Sequence, residues 1–171
     1  MVWDDFFSYF VPVNRSCSEV AAAAYFYPSS FFFKKPVVSA GTVRKMHDPD
    51  SYDVNSEFQR KDALELIPRL VSDMSWRKGE HVLDFGCGSG AITKNILLPA
   101  MDKEFPDESR TIYATDISAK MIEFSKLKYP HGQVNYFAMD IFKEYTKLEC
   151  KFDKIFSFHT LHWIPDIRQD T

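Results

Sequence analysis

The chain has 171 residues, 45% of them hydrophobic and 26% charged, which is typical of a globular protein with one domain and at most a short appendage. A formal net charge of −3 at pH 7 argues against nucleic acid or an anionic membrane surface as a partner. Cys17, Cys87 and Cys150 are odd in number, far apart and without metal-ligand spacing, so we expect no metal site, no disulfide framework and a reducing, cytoplasmic setting.

Residues 1–45 differ from the rest of the chain because they are rich in aromatic side chains and hold no lasting helical or strand periodicity. Their apolar stretch VAAAAYFYPSSFFF is interrupted by Pro28 and is too short to span a bilayer, while Asp4 and Asp5 oppose a signal peptide. We therefore expect no stable membrane anchor. We interpret residues 1–45 as a disordered or mispredicted leader and residues 46–171 as part of a folded domain.

The first periodic segment, residues 56–76, predicts an amphipathic helix. Ser56 and Gln59 stand at capping-box spacing at its start, and Pro68 is expected to kink the helix or end its first part. One face of this helix is apolar: Ala63, Ile67, Leu70, Val71 and Met74.

Four short apolar strands follow, predicted at 81–85, 111–116, 133–140 and 152–164. Helices are predicted between them, one from about Ala91 and one with Ser118 as its N-cap. This alternation is typical of an α/β fold with a parallel sheet flanked by helices, in which ligands bind beyond the carboxyl ends of the strands.

The motif DFGCGSG, residues 84–90, joins the first of these strands to its helix. Its glycines permit a sharp turn and let a ligand approach the main chain closely. Gly86, Gly88 and Ala91 also satisfy the dinucleotide pattern G-x-G-x-x-G/A. However, a pyrophosphate would be repelled by the Asp84 carboxylate, whereas an ammonium group would be attracted to it. The motif therefore favours a zwitterionic nucleoside such as S-adenosylmethionine over a nicotinamide dinucleotide.

Two further acids end the next two strands. Asp116 can accept both hydroxyls of a ribose, although a lone aspartate at this position is also a common helix cap. Asp140 fits a ligand contact and a simple turn residue about equally well. Three acids at the ends of three successive parallel strands favour one shared ligand site.

The motif D-x-G-x-G-x-G resembles motif I of the class I S-adenosylmethionine-dependent methyltransferases. The resemblance implies their Rossmann-like fold and S-adenosylmethionine as the cofactor. In that family the position of Asp140 contacts the adenine, Ile117 is expected to flank it, and Cys87 contributes mainly backbone. The implied cofactor-binding residues are Asp84, Gly86, Cys87, Gly88, Gly90, Asp116, Ile117, Asp140 and Ile141.

A narrower resemblance covers residues 46 to about 168. The segments SEFQRKDAL and FDKIFSFHTLHWI, together with the motifs between them, are similar to arthropod juvenile hormone acid O-methyltransferases. The resemblance implies methyl transfer to the carboxylate of a farnesoic-type or other small-molecule lipophilic acid. It implies that Gln59 and Trp163 line the substrate pocket and act as catalytic donors to the acid, with His159 and His162 as pocket wall. Gln59 could instead be only a capping residue, Trp163 only core, and either histidine a general base if the acceptor were a hydroxyl or an amine.

The sequence departs from this family at its carboxyl end. The family fold has seven strands in the order 3-2-1-4-5-7-6, whereas only four are predicted here, so the C-terminal strands are expected to be missing and the fourth strand to carry an unpaired edge. Three functions stay open: a methyltransferase for a lipophilic acid, one for another small acid of the trans-aconitate or malonyl-carrier type, and an inactive, truncated cofactor-binding remnant. The oligomeric state is not predicted.

Overall fold

The structure is a computed structural model that describes residues 21–24, 48–144 and 152–160. Two predicted site residues, His162 and Trp163, lie outside these ranges, as does most of the predicted leader. The boundary near residue 46 also lies outside them and stays a prediction.

All four predicted strands are present and pair in parallel: β2 (His81–Phe85), β3 (Thr111–Asp116), β4 (Val134–Ala138) and β5 (Lys154–Ser157). With a further strand, β1 (Ala21–Ala24), the strand order in the sheet is β1-β5-β2-β3-β4. Because the carboxyl ends of parallel strands share one edge of the sheet, the residues that follow β2, β3, β4 and β5 are brought together there. The predicted α/β fold with a parallel sheet is confirmed.

The sheet also contains a strand that the sequence did not predict, β1 (Ala21–Ala24). It pairs in parallel with β5, from Ala21 opposite Lys154 to Ala24 opposite Ser157. The expectation that the fourth predicted strand has an unpaired edge is therefore wrong. Strand pairing needs only backbone groups, and a run of four alanines carries no alternation and has the highest helix propensity, so its pattern did not indicate a strand.

The helices lie between the strands. A π-helical stretch, Thr93–Leu97, follows the glycine loop and continues directly into α3. The α-helices are α1 (Pro49–Asn55), α2 (Glu57–Ser72), α3 (Leu98–Glu104), α4 (Ala119–Lys128) and α5 (Ile141–Glu144). As predicted, Ser118 is the N-cap of α4, and its Oγ accepts a hydrogen bond from the Met121 N–H at 3.4 Å.

The structure settles two details of α2 that the sequence left to prediction. Pro68 lies inside the helix, which continues to Ser72, so the proline does not end the helix, and the alternative of a kink stays a prediction. The capping box is absent, because the Ser56 Oγ donates to the Asp53 carbonyl at 3.1 Å and makes no bond to the helix start.

The core lies between the sheet and helices α2 and α3. Ala63, Ile67 and Val71 of the predicted apolar face are at most 1% exposed, and Leu70 and Met74 pack at the margin of the same cluster. Across from them lie apolar side chains of the strands and of the segment that follows the glycine loop, namely Val82, Ile112, Phe156, Leu97 and Met101. Burying each larger side chain of this kind stabilises the fold by about 1.5–3 kcal/mol.

The amino end of the sheet carries paired buried charges. The Lys154 Nζ lies 2.7 Å from both carboxylate oxygens of Glu80, and both side chains are at most 4% exposed. The buried Arg110 pairs with Asp102 at 2.9 Å. Both cations make cation–π contacts with the Trp76 ring: the Lys154 Nζ lies 4.5 Å and the Arg110 guanidinium 5.2 Å from its centroid.

Within the part of the chain that the structure describes, no helix combines the length and the hydrophobicity of a membrane span. The same residues contain no group of three or more histidine, cysteine, aspartate or glutamate side chains arranged to hold a metal ion.

Candidate functional site

The glycine loop turns as its sequence predicts. Gly86, Gly88 and Gly90 have φ angles of 75°, 56° and 80°. Gly90 also has no room for a side chain, because a Cβ there would lie 2.8 Å from Ser125 Cβ and 2.9 Å from Tyr136 Cε1. The loop is thus packed directly against α4 and β4, and its conformation requires glycine.

Hydrogen bonds to β3 and from the segment after β5 fix the loop. The Gly86 and Cys87 N–H groups both donate to the Thr115 carbonyl of β3, at 2.8 and 2.9 Å. On the other side, the Thr160 Oγ1 donates to the Gly86 carbonyl at 3.0 Å, and the Thr160 side chain fills the space that a Cβ on Gly86 would need. The segment after β5 therefore lies against the glycine loop.

A pocket that is partly open to solvent lies beside this loop. It brings together five of the predicted site residues, Gln59, Asp84, Gly86, Cys87 and His159. Its other lining residues are Tyr52, Ser56, Ser89, Ala91, Ile92 and Phe158. Neither a lysine nor an arginine is among these lining residues.

Asp84 is the buried carboxylate of this pocket. It is 3% exposed, and the Thr93 Oγ1 donates to its Oδ2 at 2.5 Å. Burial raises the pKa of Asp84 to about 6; the Thr93 hydrogen bond opposes this rise and the nearby Asp116 charge adds to it. A buried carboxylate without a cation partner is costly, so a ligand with a positive group would supply the missing countercharge.

Asp116 lies next to the loop rather than in the lining of the pocket. Its Oδ2 accepts from the Gly88 N–H at 3.0 Å and its Oδ1 from the Ser118 N–H at 2.8 Å. Burial raises the pKa of Asp116, while these two backbone hydrogen bonds lower it. The cap-like contact to Ser118 is therefore real, but each carboxylate oxygen retains a further lone pair. The ribose contact stays a prediction.

The predicted adenine side lies further along the same edge of the sheet. The Met139 N–H donates to the Asp116 carbonyl at 2.9 Å, which brings the ends of β3 and β4 together, and Asp140 follows directly. The Lys143 Nζ lies 3.1 Å from the Asp140 carboxylate. Ile117 is 73% exposed, and Ile141 is the first residue of α5. Asp140 and Ile117 are not among the described lining residues of the pocket, and the contacts of these two residues and of Ile141 with adenine stay predictions.

Gln59 and His159 both line the pocket, and His159 packs against the helix that carries Gln59. The Gln59 Oε1 is buried and has no hydrogen-bond partner among the described residues, as expected of a group that awaits a ligand. His159 has a φ of 52°, its Nε2 lies 3.3 Å from the Asp62 carboxylate, and its ring packs edge-on against Phe58. With no capping box formed, the alternative role of Gln59 as a capping residue is wrong. The roles of His162 and Trp163 stay predictions.

Cys87 contributes to the pocket mainly through its backbone. Burial raises the pKa of its thiol well above the ordinary value, and the charges of Asp84 and Asp116 raise it further. A reactive thiolate is therefore disfavoured at this position.

The sequence analysis missed helix α1, which lies over the glycine loop. Its Tyr52 lines the pocket, and the Tyr52 Cε1 would lie 3.3 Å from a Cβ on Gly88. Burial raises the pKa of Tyr52, and the Asp116 charge raises it further. The segment DPDSYDVN carried a signal for this helix, because a proline directly after an aspartate is typical of a helix start.

Asp53 of α1 is the second missed residue. It is 5% exposed and accepts hydrogen bonds from the Ser89 Oγ at 2.9 Å, the Lys128 Nζ at 2.7 Å and the Tyr129 hydroxyl at 2.8 Å. Burial alone would raise the pKa of Asp53, but the hydrogen bonds from Lys128, Tyr129 and Ser89 outweigh it and hold the pKa below its ordinary value. No local pattern indicated this carboxylate.

Known proteins resemble the chain in both sequence and fold. The family described as "Methyltransferase domain" matches residues 83–169. Juvenile hormone acid O-methyltransferase of Bombyx mori is 32% identical over 71% of this chain and 42% of its own length. Malonyl-(acyl-carrier protein) O-methyltransferase of Acetivibrio thermocellus is also 32% identical, over 68% of this chain and 38% of its own length. The chain thus spans about two-fifths of the length of these curated relatives.

Among solved structures, a candidate S-adenosyl-L-methionine-dependent methyltransferase of Methanococcus maripaludis superposes with a TM-score of 0.51. It covers 72% of this chain and 54% of that protein, at 16% sequence identity. At that identity the superposition establishes a shared fold and nothing further.

Proposed function

Because the chain belongs to the methyltransferase domain family, we propose that it forms the cofactor-binding part of an S-adenosylmethionine-dependent O-methyltransferase. The acceptor is the carboxylate of a lipophilic acid of the farnesoic or juvenile hormone acid type, which places the enzyme in juvenile hormone biosynthesis. The observation that carries the proposal is the pocket beside the glycine loop. Among the described residues, the buried Asp84 has no cation partner there and the Gln59 Oε1 has no hydrogen-bond partner.

The residues present fit S-adenosylmethionine. The Asp84 carboxylate suits its ammonium group, Asp116 suits the ribose hydroxyls, and the glycine loop leaves main chain open to close approach. A ligand with phosphates would instead meet the carboxylates of Asp84 and Asp116 without a lysine or arginine in the pocket lining. When bound, the cofactor supplies a methyl group that its sulfonium activates for transfer.

The chain's own side chains have to position the acceptor. A carboxylic acid is already ionised at neutral pH, so the reaction needs no general base. Gln59 can donate its amide N–H to one acid oxygen, while the other oxygen is held at near-attack distance, about 3–3.5 Å, from the methyl carbon. We expect His162 as pocket wall and Trp163 as a second donor to join His159 on this side and exclude water, which strengthens the interactions inside.

The lipophilic acid is favoured over a small polar one by the surface beside His159. Phe58 packs against the His159 ring and is 56% exposed, so it offers apolar area for a hydrocarbon tail next to the carboxylate site. A malonyl-carrier acid is the second candidate, supported by the equal sequence identity of the malonyl-(acyl-carrier protein) O-methyltransferase.

Two measurements on the same preparation test this proposal. Calorimetry measures S-adenosylmethionine binding, and a radiolabelled methyl-transfer assay compares farnesoic acid with a malonyl thioester. We expect binding, and transfer to farnesoic acid in preference to the malonyl thioester. Preference for the malonyl thioester selects the second candidate. Binding without transfer identifies a cofactor-binding remnant, and the absence of binding refutes the proposal.

A further inference from the structure

The amino-acid end of the cofactor proposed above is a zwitterion with an ammonium group and a carboxylate group. So far only its ammonium group has been given a partner. Asp84 suits the ammonium group, whereas the carboxylate finds no lysine or arginine in the pocket lining. We propose that the Tyr52 hydroxyl binds this carboxylate and that Asp53 is a positioning residue that holds Tyr52 in place. The inference rests on the proposed cofactor and is independent of the acceptor.

A carboxylate in this pocket must accept from neutral donors, and most of these are already committed. The Ser89 Oγ donates to Asp53 at 2.9 Å, and the Ser56 Oγ donates to the Asp53 carbonyl at 3.1 Å. The His159 Nε2 faces Asp62. The Tyr52 hydroxyl has no hydrogen-bond partner among the described residues, although its side chain lines the pocket.

Tyr52 is placed where such a donor is needed. Its ring lies against Gly88 and it shares the pocket with Asp84, so the proposed partners of the ammonium and of the carboxylate line one cavity. The raised pKa of Tyr52, caused by burial and by the Asp116 charge, keeps the hydroxyl protonated and therefore a donor at neutral pH.

Asp53 fixes Tyr52 through the helix that both share. α1 has only seven residues, and a helix this short depends on tertiary contacts for its position. The buried Asp53 carboxylate supplies such contacts, because it joins the glycine loop through Ser89 and the carboxyl end of α4 through Lys128 and Tyr129. Since Tyr52 directly precedes Asp53, anchoring one places the other.

A pair of ligands separates recognition from packing. We would titrate the full chain by calorimetry with S-adenosylhomocysteine and with 5′-methylthioadenosine, which has the same nucleoside but lacks the amino-acid end. Tyr52→Phe keeps the ring and removes only the hydroxyl. We expect it to weaken S-adenosylhomocysteine binding roughly tenfold and to leave 5′-methylthioadenosine binding unchanged, as for the loss of one hydrogen bond to a charged group. Equal losses for both ligands, or no loss for either, would overturn the assignment.

Asp53→Asn tests the positioning role. We expect the same selective loss of S-adenosylhomocysteine binding. The double variant Tyr52→Phe/Asp53→Asn should bind S-adenosylhomocysteine about as tightly as the single variant with the lower affinity, because both changes remove the same interaction. Additive losses would show that Asp53 acts independently of Tyr52. If Asp53→Asn does not fold, Lys128→Met, which removes one exposed partner of the carboxylate, takes its place in the same cycle. An unmodified chain that binds neither ligand would refute the cofactor site itself, whatever the acceptor assays give.

Discussion

Both ends of the parallel sheet bury charged side chains, but the two ends differ in whether those charges are paired with opposite charges. At the amino end, Glu80 lies against Lys154 and Arg110 against Asp102, so that these buried charges have an opposite partner within 3 Å. At the carboxyl end, Asp84 and Asp116 accept hydrogen bonds only from a hydroxyl and from backbone N–H groups. Within the described residues, neither of these two carboxylates has a cation partner.

This contrast separates structural charges from charges that serve a ligand. A paired buried charge needs nothing more from its surroundings, and its removal leaves the partner stranded. A buried carboxylate without a cation raises the free energy of the empty protein and lowers it again when a cationic ligand arrives. The amino end is therefore expected to control folding and the carboxyl end to control binding.

The largest effect is expected at the amino end. Lys154→Ala removes the buried partner of Glu80 and leaves it the exposed Arg77, whose Nε lies 3.5 Å away. This change should lower the free energy of unfolding by about 3 kcal/mol, as measured by urea denaturation. The double variant Glu80→Leu/Lys154→Met should recover most of this loss, since it removes both charges together. If Lys154→Ala were as stable as the unmodified chain, the two ends would not differ in the way described.

The second prediction concerns Asp84. Asp84→Asn keeps the shape of the side chain but removes its charge, so S-adenosylmethionine binding should weaken by about 100-fold, corresponding to a lost hydrogen bond between charged groups. Stability should not fall, because the substitution removes an uncompensated buried charge. Asp73→Asn on the exposed end of α2 is the matched control and should bind normally. A folded Asp84→Asn protein with full affinity would contradict the ligand role.

The smallest effect is a pH dependence with opposite signs for stability and binding. Because the pKa of Asp84 is raised to about 6 in the folded state, the stability of the ligand-free protein should decrease as the pH rises from about 4 to 6. Cofactor binding requires the ionised form, so affinity should fall about tenfold from pH 7 to pH 5. Calorimetry at several pH values measures this. The Asp84→Asn variant should lose this dependence, and an unchanged profile would assign it to another group.

The secondary structure could be predicted from the sequence wherever the local residue pattern favours the same structure as the tertiary contacts. HVLDF and TIYATD form strands at their predicted residues, and Ser118 begins α4 as expected, because alternation, burial and capping are encoded within a few residues. The glycine loop was equally predictable, since positive φ angles leave a direct signature in residue type.

What escaped prediction depends on contacts between distant residues. The partners of Asp53 lie 36, 75 and 76 residues further along the chain, so no local pattern could indicate that this carboxylate anchors α1 to the site. β1 was missed for a similar reason, because its strand state comes from pairing with β5 and not from its own alanines. The predicted capping box failed because Ser56 binds the Asp53 carbonyl instead.

The contact between Thr160 and Gly86 links two segments that lie 74 positions apart. The threonine side chain occupies the volume that any larger residue at position 86 would need, and its hydroxyl is bound to the carbonyl of that same residue. The two positions are therefore expected to change together during evolution. A bulkier residue at one would be tolerated only after a smaller one, or a shifted backbone, appeared at the other.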